Sequence, residues 1–234
     1  MNINLEKVSS QKHHQLKVAT DGRHQNNASI HLCHLALQEI SAAAAYYPIF
    51  LLKDSDTGQF QPVALFGLDI DENIYQQANL WNKCYQPLKL TTQPFFLVNN
   101  EAAPELAINV SDPRVQNDVG EPLFEASNAT VYLKQQAASL SDLTQGFVLN
   151  NVFINELSKY DLIEPVELDI AFADGQQRQL DGLYTVNREM LEHVDALTQQ
   201  QFEKSGYVKI IADMLGSANH VKVLIDLKNQ LNKN

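Results

Sequence analysis

Tyr47-Pro48-Ile49-Phe50-Leu51-Leu52-Lys53, then Asp54-Ser55-Asp56-Thr57-Gly58, then Phe60-Gln61-Pro62-Val63-Ala64-Leu65-Phe66-Gly67-Leu68: this run decides the fold. The first segment is apolar and of strand length, the middle is built from turn formers, and the third returns with apolar and aromatic residues. Two such runs around a Gly-containing turn predict a β-hairpin. A second hairpin is written farther along. Residues 166–172 alternate with period two, Asp174-Gly175 supplies the turn, and residues 179–186 return.

Outward from these hairpins the pattern becomes helical. Residues 130–138 and 142–160 carry helical apolar spacing, with Leu143, Phe147, Ile154 and Leu157 on one stripe and Ser141 as the cap of the second helix. In the tail, Ile211, Leu215, Ala218, Val221, Leu224 and Ile225 recur at helical spacing, and Gly216-Ser217 divides two helices with Ser217 as the second N-cap. Residues 69–81 read as a turn and a short helix, and 85–90, 94–98 and 106–110 as strands in a stretch punctuated by prolines. The order predicts an α+β fold: a β-hairpin-rich N-terminal half, a helical segment at 129–160, a β-hairpin at 166–186, and C-terminal helices. Residues 1–29 are polar and read as an N-terminal arm, with 30–234 as a single domain.

Composition narrows the function classes. The chain has 234 residues, 44% hydrophobic and 19% charged, with 21 Gln and 20 Asn among the polar residues. This excludes a disordered chain, a collagen-like repeat and a disulfide-rich scaffold. Lys plus Arg is 17 against 28 Asp plus Glu, a formal charge of -11. Such a chain repels phosphate backbones and anionic bilayers, so neither nucleic acid nor membrane is expected as a partner. Cys33 and Cys84 stand apart, form no CxxC pair, and read as reduced thiols. The N-terminal stretch has no apolar signal region, and the longest uncharged apolar run, 40–52, is 13 residues with Pro48 inside it. The expectation is a soluble, cytoplasmic protein.

Three constellations are candidates for chemistry. His31-Leu32-Cys33-His34 is the most metal-like string: on a strand His31 and Cys33 share a face, and closure of a site needs others such as His13, His14 or His24. The balance favours ordinary polar residues at the start of a hairpin domain, and no cofactor is expected. Trp81, Tyr85, Phe95 and Phe96, near Glu72 and Asn73, are the residues of an aromatic cleft for an indole or peptide, weighed against a simple core role, with Tyr47 and Glu121 as further ligand-binding candidates. Glu121, beside Pro122-Leu123-Phe124, is a candidate general base if its apolar neighbours raise its pKa, and Asp181 in Leu180-Asp181-Gly182-Leu183 invites the same comparison. GxSxG, GxGxxG and Walker loops are absent.

Seven phrases in order carry a resemblance: Ala44-Ala45-Tyr46-Tyr47-Pro48-Ile49-Phe50, the Phe60 to Gly67 run, Glu72-Asn73-Ile74-Tyr75, Trp81 with Tyr85 and Pro87, Pro94-Phe95, Gly120-Glu121-Pro122-Leu123-Phe124, and Asp181-Gly182-Leu183-Tyr184. With the helical tail they resemble the SapC family of bacterial proteins, from about residue 28 to 227. The family is named from a surface-layer secretion locus. Its genomic company of tryptophan-type halogenases, cupin-like proteins and TonB-dependent receptors implies an accessory role in uptake or tailoring chemistry. No catalytic residue is established that carries over. Ile40 after Glu39, Thr91-Thr92-Gln93 before Pro94, and Met214 depart from the family's pattern. The resulting expectation is an accessory or binding protein that holds a partner protein or an aromatic or peptide ligand through the region from Tyr47 to Phe124. The alternatives are an unrecognised, metal-assisted enzyme acting on a peptide or amino acid, and a surface-layer export factor. The apolar stripe of the tail suits either internal packing or a homodimer.

Overall fold

The computed structural model describes residues 3–20, 27–98 and 103–233. Its principal strands are β1 (Leu5–Lys7), β2 (Leu32–His34), β3 (Ile49–Lys53), β4 (Phe60–Leu65), β5 (Phe95–Val98), β6 (Glu105–Asn109), β7 (Ile163–Ala171) and β8 (Gln177–Val186). The helices used below are α1 (Ile74–Gln77), α2 (Val131–Lys159), α3 (Ala196–Lys204), α4 (Tyr207–Ser217) and α5 (His220–Leu231). The fold is α+β, with antiparallel sheets and a helical C-terminal part. The chain divides into two compact units, one from residues 1–26 and 88–145, the other from 27–87 and 146–234.

In the first unit three antiparallel strands run in the order β1-β6-β5. Leu5 pairs with Asn109 and Lys7 with Ala107, while Phe95 pairs with Ile108. In its described part the polar N-terminal stretch supplies an edge strand of this sheet. Lys17–Val18 also pairs with both Val115–Gln116 and Glu121–Pro122. Gly120 fits there at φ +117, where a side chain would overlap the Val18 backbone. Residues 85–90 do not form the expected strand. Leu88–Thr91 closes into a helical turn, whose end is tied by the Thr92 hydroxyl donating to the Leu88 carbonyl at 2.7 Å.

The second unit is built on a five-stranded antiparallel sheet in the order β7-β8-β3-β4-β2. Both predicted hairpins are present: Ile49 pairs with Ala64 and Lys53 with Phe60, and Ile163 pairs with Val186 and Ala171 with Gln177. Their turns have the expected chemistry. Asp54 Oδ1 accepts from Thr57 N at 2.7 Å and Thr57 Oγ1 at 2.8 Å, and Gly58 sits at φ +70. Those bonds, the backbone one first, hold the Asp54 carboxyl below its usual range. In the second turn Asp174 Oδ1 accepts from Gln176 N at 2.9 Å.

Two helix boundaries differ from expectation. The segment read as two helices with a cap at Ser141 is one helix of 29 residues, α2. No Pro interrupts it, and its cap is Thr130, whose hydroxyl accepts from Leu133 N at 3.2 Å. Ser217 is no N-cap. It is the last residue of α4 and is buried; its hydroxyl donates to Met214 O at 2.6 Å and accepts from Ile49 N at 2.9 Å. A tail helix is thus latched to the first residue of β3. Edge-on rings link three helices of this unit: Phe153 meets Tyr207 at 5.0 Å, and Phe202 meets Tyr207 at 5.8 Å.

Ser217→Ala removes the acceptor for a buried backbone N–H. The expected cost is about 1–3 kcal/mol of unfolding free energy, measured by denaturant titration. A loss under about 0.5 kcal/mol would mean that the latch is not what holds α4 to β3.

Candidate functional site

The sequence candidates fall in both units. Tyr47, Asn73, Trp81 and Tyr85 belong to the second, Phe95 and Glu121 to the first. The structure brings Tyr47, Phe66, Tyr75 and Trp81 together as a packed knot. Tyr47 lies edge-on to Phe66 at 4.7 Å and to Tyr75 at 4.9 Å, and Phe66 meets Trp81 at 5.1 Å. All four rings are buried, and the Trp81 Nε1 is enclosed with no partner among the described residues. Asn73, fully buried, accepts from Gln76 N at 3.0 Å to start α1 and donates to Asn27 O at 3.0 Å.

Hydroxyls of this knot hold irregular backbone in place. Tyr47 donates to Tyr85 O at 2.7 Å, Tyr75 donates to Tyr46 O at 2.8 Å, and Tyr85 donates to Glu39 Oε1 at 2.9 Å. The other oxygen of Glu39 accepts from Ala36 N at 3.0 Å. Burial is the main reason the Tyr47, Tyr75 and Tyr85 hydroxyls titrate above the ordinary tyrosine value. Cys84 adds to the effect at Tyr47 and Tyr75, and Glu39 adds to it at Tyr85. In the first unit Phe95 is buried and meets Tyr132 at 6.0 Å, Phe96 is half-buried, and Glu121 is exposed.

Cys33 is buried within β2, while His31 and His34 are half-buried. Among the described residues no three His, Cys, Asp or Glu side chains gather as a metal site. His13 is used locally in the first unit, accepting from Ser9 N at 3.1 Å with Glu6 at 3.3 Å from its other nitrogen. His14 is exposed, and His24 lies outside the described residues.

The second unit does carry a concave surface, and sequence spacing missed it. A groove of about 390 Å³ is lined by Leu32, Leu52, Leu65, Leu180 and Leu183 from four adjacent strands. Register explains the gathering: Leu183 stands beside Leu52 and Leu65 beside Leu32, and period-two alternation puts them on one face of the sheet. The turn after β4 forms the wall, with Gly67, Leu68, Asp69 and the 80% exposed Ile70 as its lip.

That wall is fixed by one carboxylate. Glu72 is buried; its Oε2 accepts from Leu68 N at 3.2 Å and Asp69 N at 3.3 Å, and its Oε1 is paired with Lys228 of α5. A side chain at Gly67 would overlap the Glu72 carbonyl, which explains the glycine there. Asp69 lies 3.3 Å from Arg178 and 3.6 Å from Lys228.

A bulge shapes the opposite rim. Val166 pairs with Leu183 and Leu168 with Leu180, so Asp181 and Gly182 together oppose Glu167. Gly182 has φ +78 and open space around it, so conformation alone demands glycine there. Asp181 is exposed on the groove, and among the described residues its carboxylate has no hydrogen-bond or ion-pair partner. The sequence signals that pointed here were Gly67 and the Asp181-Gly182-Leu183-Tyr184 phrase. Arg178, Asp69 and the leucines gave none.

These features define an α+β protein whose second unit carries a ligand-sized groove on an antiparallel sheet and an aromatic core. The chain belongs to the SapC family, whose model matches residues 8–224 and so includes every groove residue. Neither curated proteins nor solved structures give a match. No helix among the described residues is long and apolar enough to cross a membrane.

Lys228→Met leaves the buried Glu72 carboxylate with backbone partners alone. The expected loss is about 3 kcal/mol, read by chemical denaturation. A loss below about 1 kcal/mol would mean that the two backbone N–H groups suffice to keep the charge buried.

Proposed function

We propose that this SapC-family chain is a non-catalytic accessory or binding protein. It holds an aromatic or peptide ligand, or a segment of a partner protein, in the groove of its second unit. The observation that carries this reading is the groove itself. Its volume of about 390 Å³ falls within the range of small-molecule and peptide pockets, and it joins an apolar side to a few polar rim groups. In this reading Tyr47, Trp81 and Tyr85, first considered as ligand-binding residues, belong to the same unit, Tyr47 and Trp81 in its core. The family's genomic company of halogenase, cupin-like and TonB-receptor systems makes such systems the proposed setting. The proposed compartment is the reducing cytoplasm, supported by neither Cys33 nor Cys84 being in a disulfide among the described residues.

The test is a heteronuclear NMR titration of the full chain with tryptophan amide, leucine amide and a short apolar peptide. Saturable shifts are expected at residues 31–32, 65–70 and 178–183 for at least one of them. Leu180→Arg, at a half-buried lining position, should weaken that binding about ten-fold or more while the chain stays folded. Shifts confined to other residues, or unchanged binding by the Leu180→Arg protein, would remove the groove from consideration.

A further inference from the structure

Resting on the reading of the groove as a binding site, we infer that its ligand is the free N-terminus of an apolar peptide, with the α-ammonium group held by Asp181. The charges of the site support this. Asp69 and Glu72 are matched by Arg178 and Lys228, two anions against two cations in mutual contact. Asp181 is left over. It is an exposed residue of the groove's lining and its carboxylate has no partner among the described residues, so the uncompensated charge of the rim is negative. The formal charge of -11 on the whole chain reinforces it, drawing cations toward the surface and repelling anions.

The bulge makes this placement more than a chance surface acid. Two residues of β8 oppose one of β7 here, and bulges of this kind re-aim a side chain relative to a regular ladder. Gly182 adopts a positive φ that no packing requires, so the local chain is shaped for the bulge and for where it sets Asp181.

Peptide length follows from the strands. The groove is lined by residues of β8, β3, β4 and β2, four neighbours in the sheet. At about 4.8 Å between strands this spans roughly 14 Å, the reach of about four extended residues. The ammonium group sits at the β8 end, and the following apolar side chains lie along the leucines. The peptide backbone then arrives at His31 beside β2, whose ring has no partner among the described residues and offers a hydrogen bond.

The test compares Val-Leu-Leu-Ala amide with its N-acetyl form by calorimetric titration of the full chain, for the parent, Asp181→Asn and Asp174→Asn. The free-amine peptide should bind the parent. Acetylation or Asp181→Asn should each weaken it about ten-fold, as loss of a charge-assisted hydrogen bond does. In the Asp181→Asn protein the two peptides should bind alike. Asp174→Asn makes the same charge change at the exposed hairpin turn and should leave affinity within about two-fold. Matching thermal unfolding of the variants excludes a folding defect. Equal binding of both peptides by the parent, or an unaltered affinity in Asp181→Asn, overturns the ammonium contact while leaving the groove as a binding site. Binding of neither peptide overturns the peptide proposal, and the Leu180→Arg titrations then decide the groove separately.

Discussion

The buried carboxylate of Glu72 is the constraint on which the grooved face of the second unit depends. A carboxylate taken out of water loses several kcal/mol of solvation unless its lone pairs are met. Here they are met by the Leu68 and Asp69 amides and by the Lys228 ammonium. The amides fold residues 67–72 into a tight wall, and the ammonium draws α5 against the same turn. The wall admits only glycine at position 67, because the chain returns across it to Glu72. Burial of an ion pair adds little net stability compared with apolar packing, but it permits few alternative arrangements. The groove inherits that definition.

A second set of polar contacts acts in the same manner in the aromatic knot. Three tyrosine hydroxyls, kept protonated by burial, donate to the backbone or to Glu39. The segments they hold, around Tyr46, Tyr85 and Ala36, lie in irregular backbone or very short helices. Phenylalanine would fill the same volume but withdraw these donors from the Tyr85 and Tyr46 carbonyls and from the Glu39 carboxylate. The Tyr-Tyr-Pro and Trp-x-x-x-Tyr phrases are therefore intelligible as architecture, each aromatic ring serving packing and its hydroxyl serving a loop.

Both hairpins were legible in the sequence because their signals are local: alternation on each side of Asp54 to Gly58, and of Asp174-Gly175. Helix α2 was legible as helix but not as one helix. Ser141 looks like a cap in isolation, yet the apolar stripe passes through it without interruption. Strand β1 was not legible, because Leu5 to Lys7 is polar and its partner strand lies about a hundred residues later. Ser217 shows the same limit, since a cap and a buried latch use the same hydroxyl. At the candidate site, residue spacing found the aromatics but could not tell an enclosed ring from one lining a cleft. The groove was invisible because it arises from register among four strands that are scattered in sequence. Only the Gly67 and Asp181-Gly182 positions left a local trace, as glycines serving close approach and a bulge.

The division of the chain at residue 145, inside α2, bears on how the protein is made. Each unit is assembled from two separated segments, and the segments interleave. During synthesis β1 emerges with no partner and must wait for residues 105–109. At about 5–20 residues per second that is a delay of roughly 5–20 seconds. The first unit is complete in sequence once residue 145 is out of the ribosome, in the middle of a helix. The second begins at residue 27 but lacks β7 and β8 until residue 186 has emerged, and the Lys228 that neutralises Glu72 until α5 appears. The order of emergence thus completes the sheet-and-groove unit after the first unit, and supplies its charge pair after its sheet.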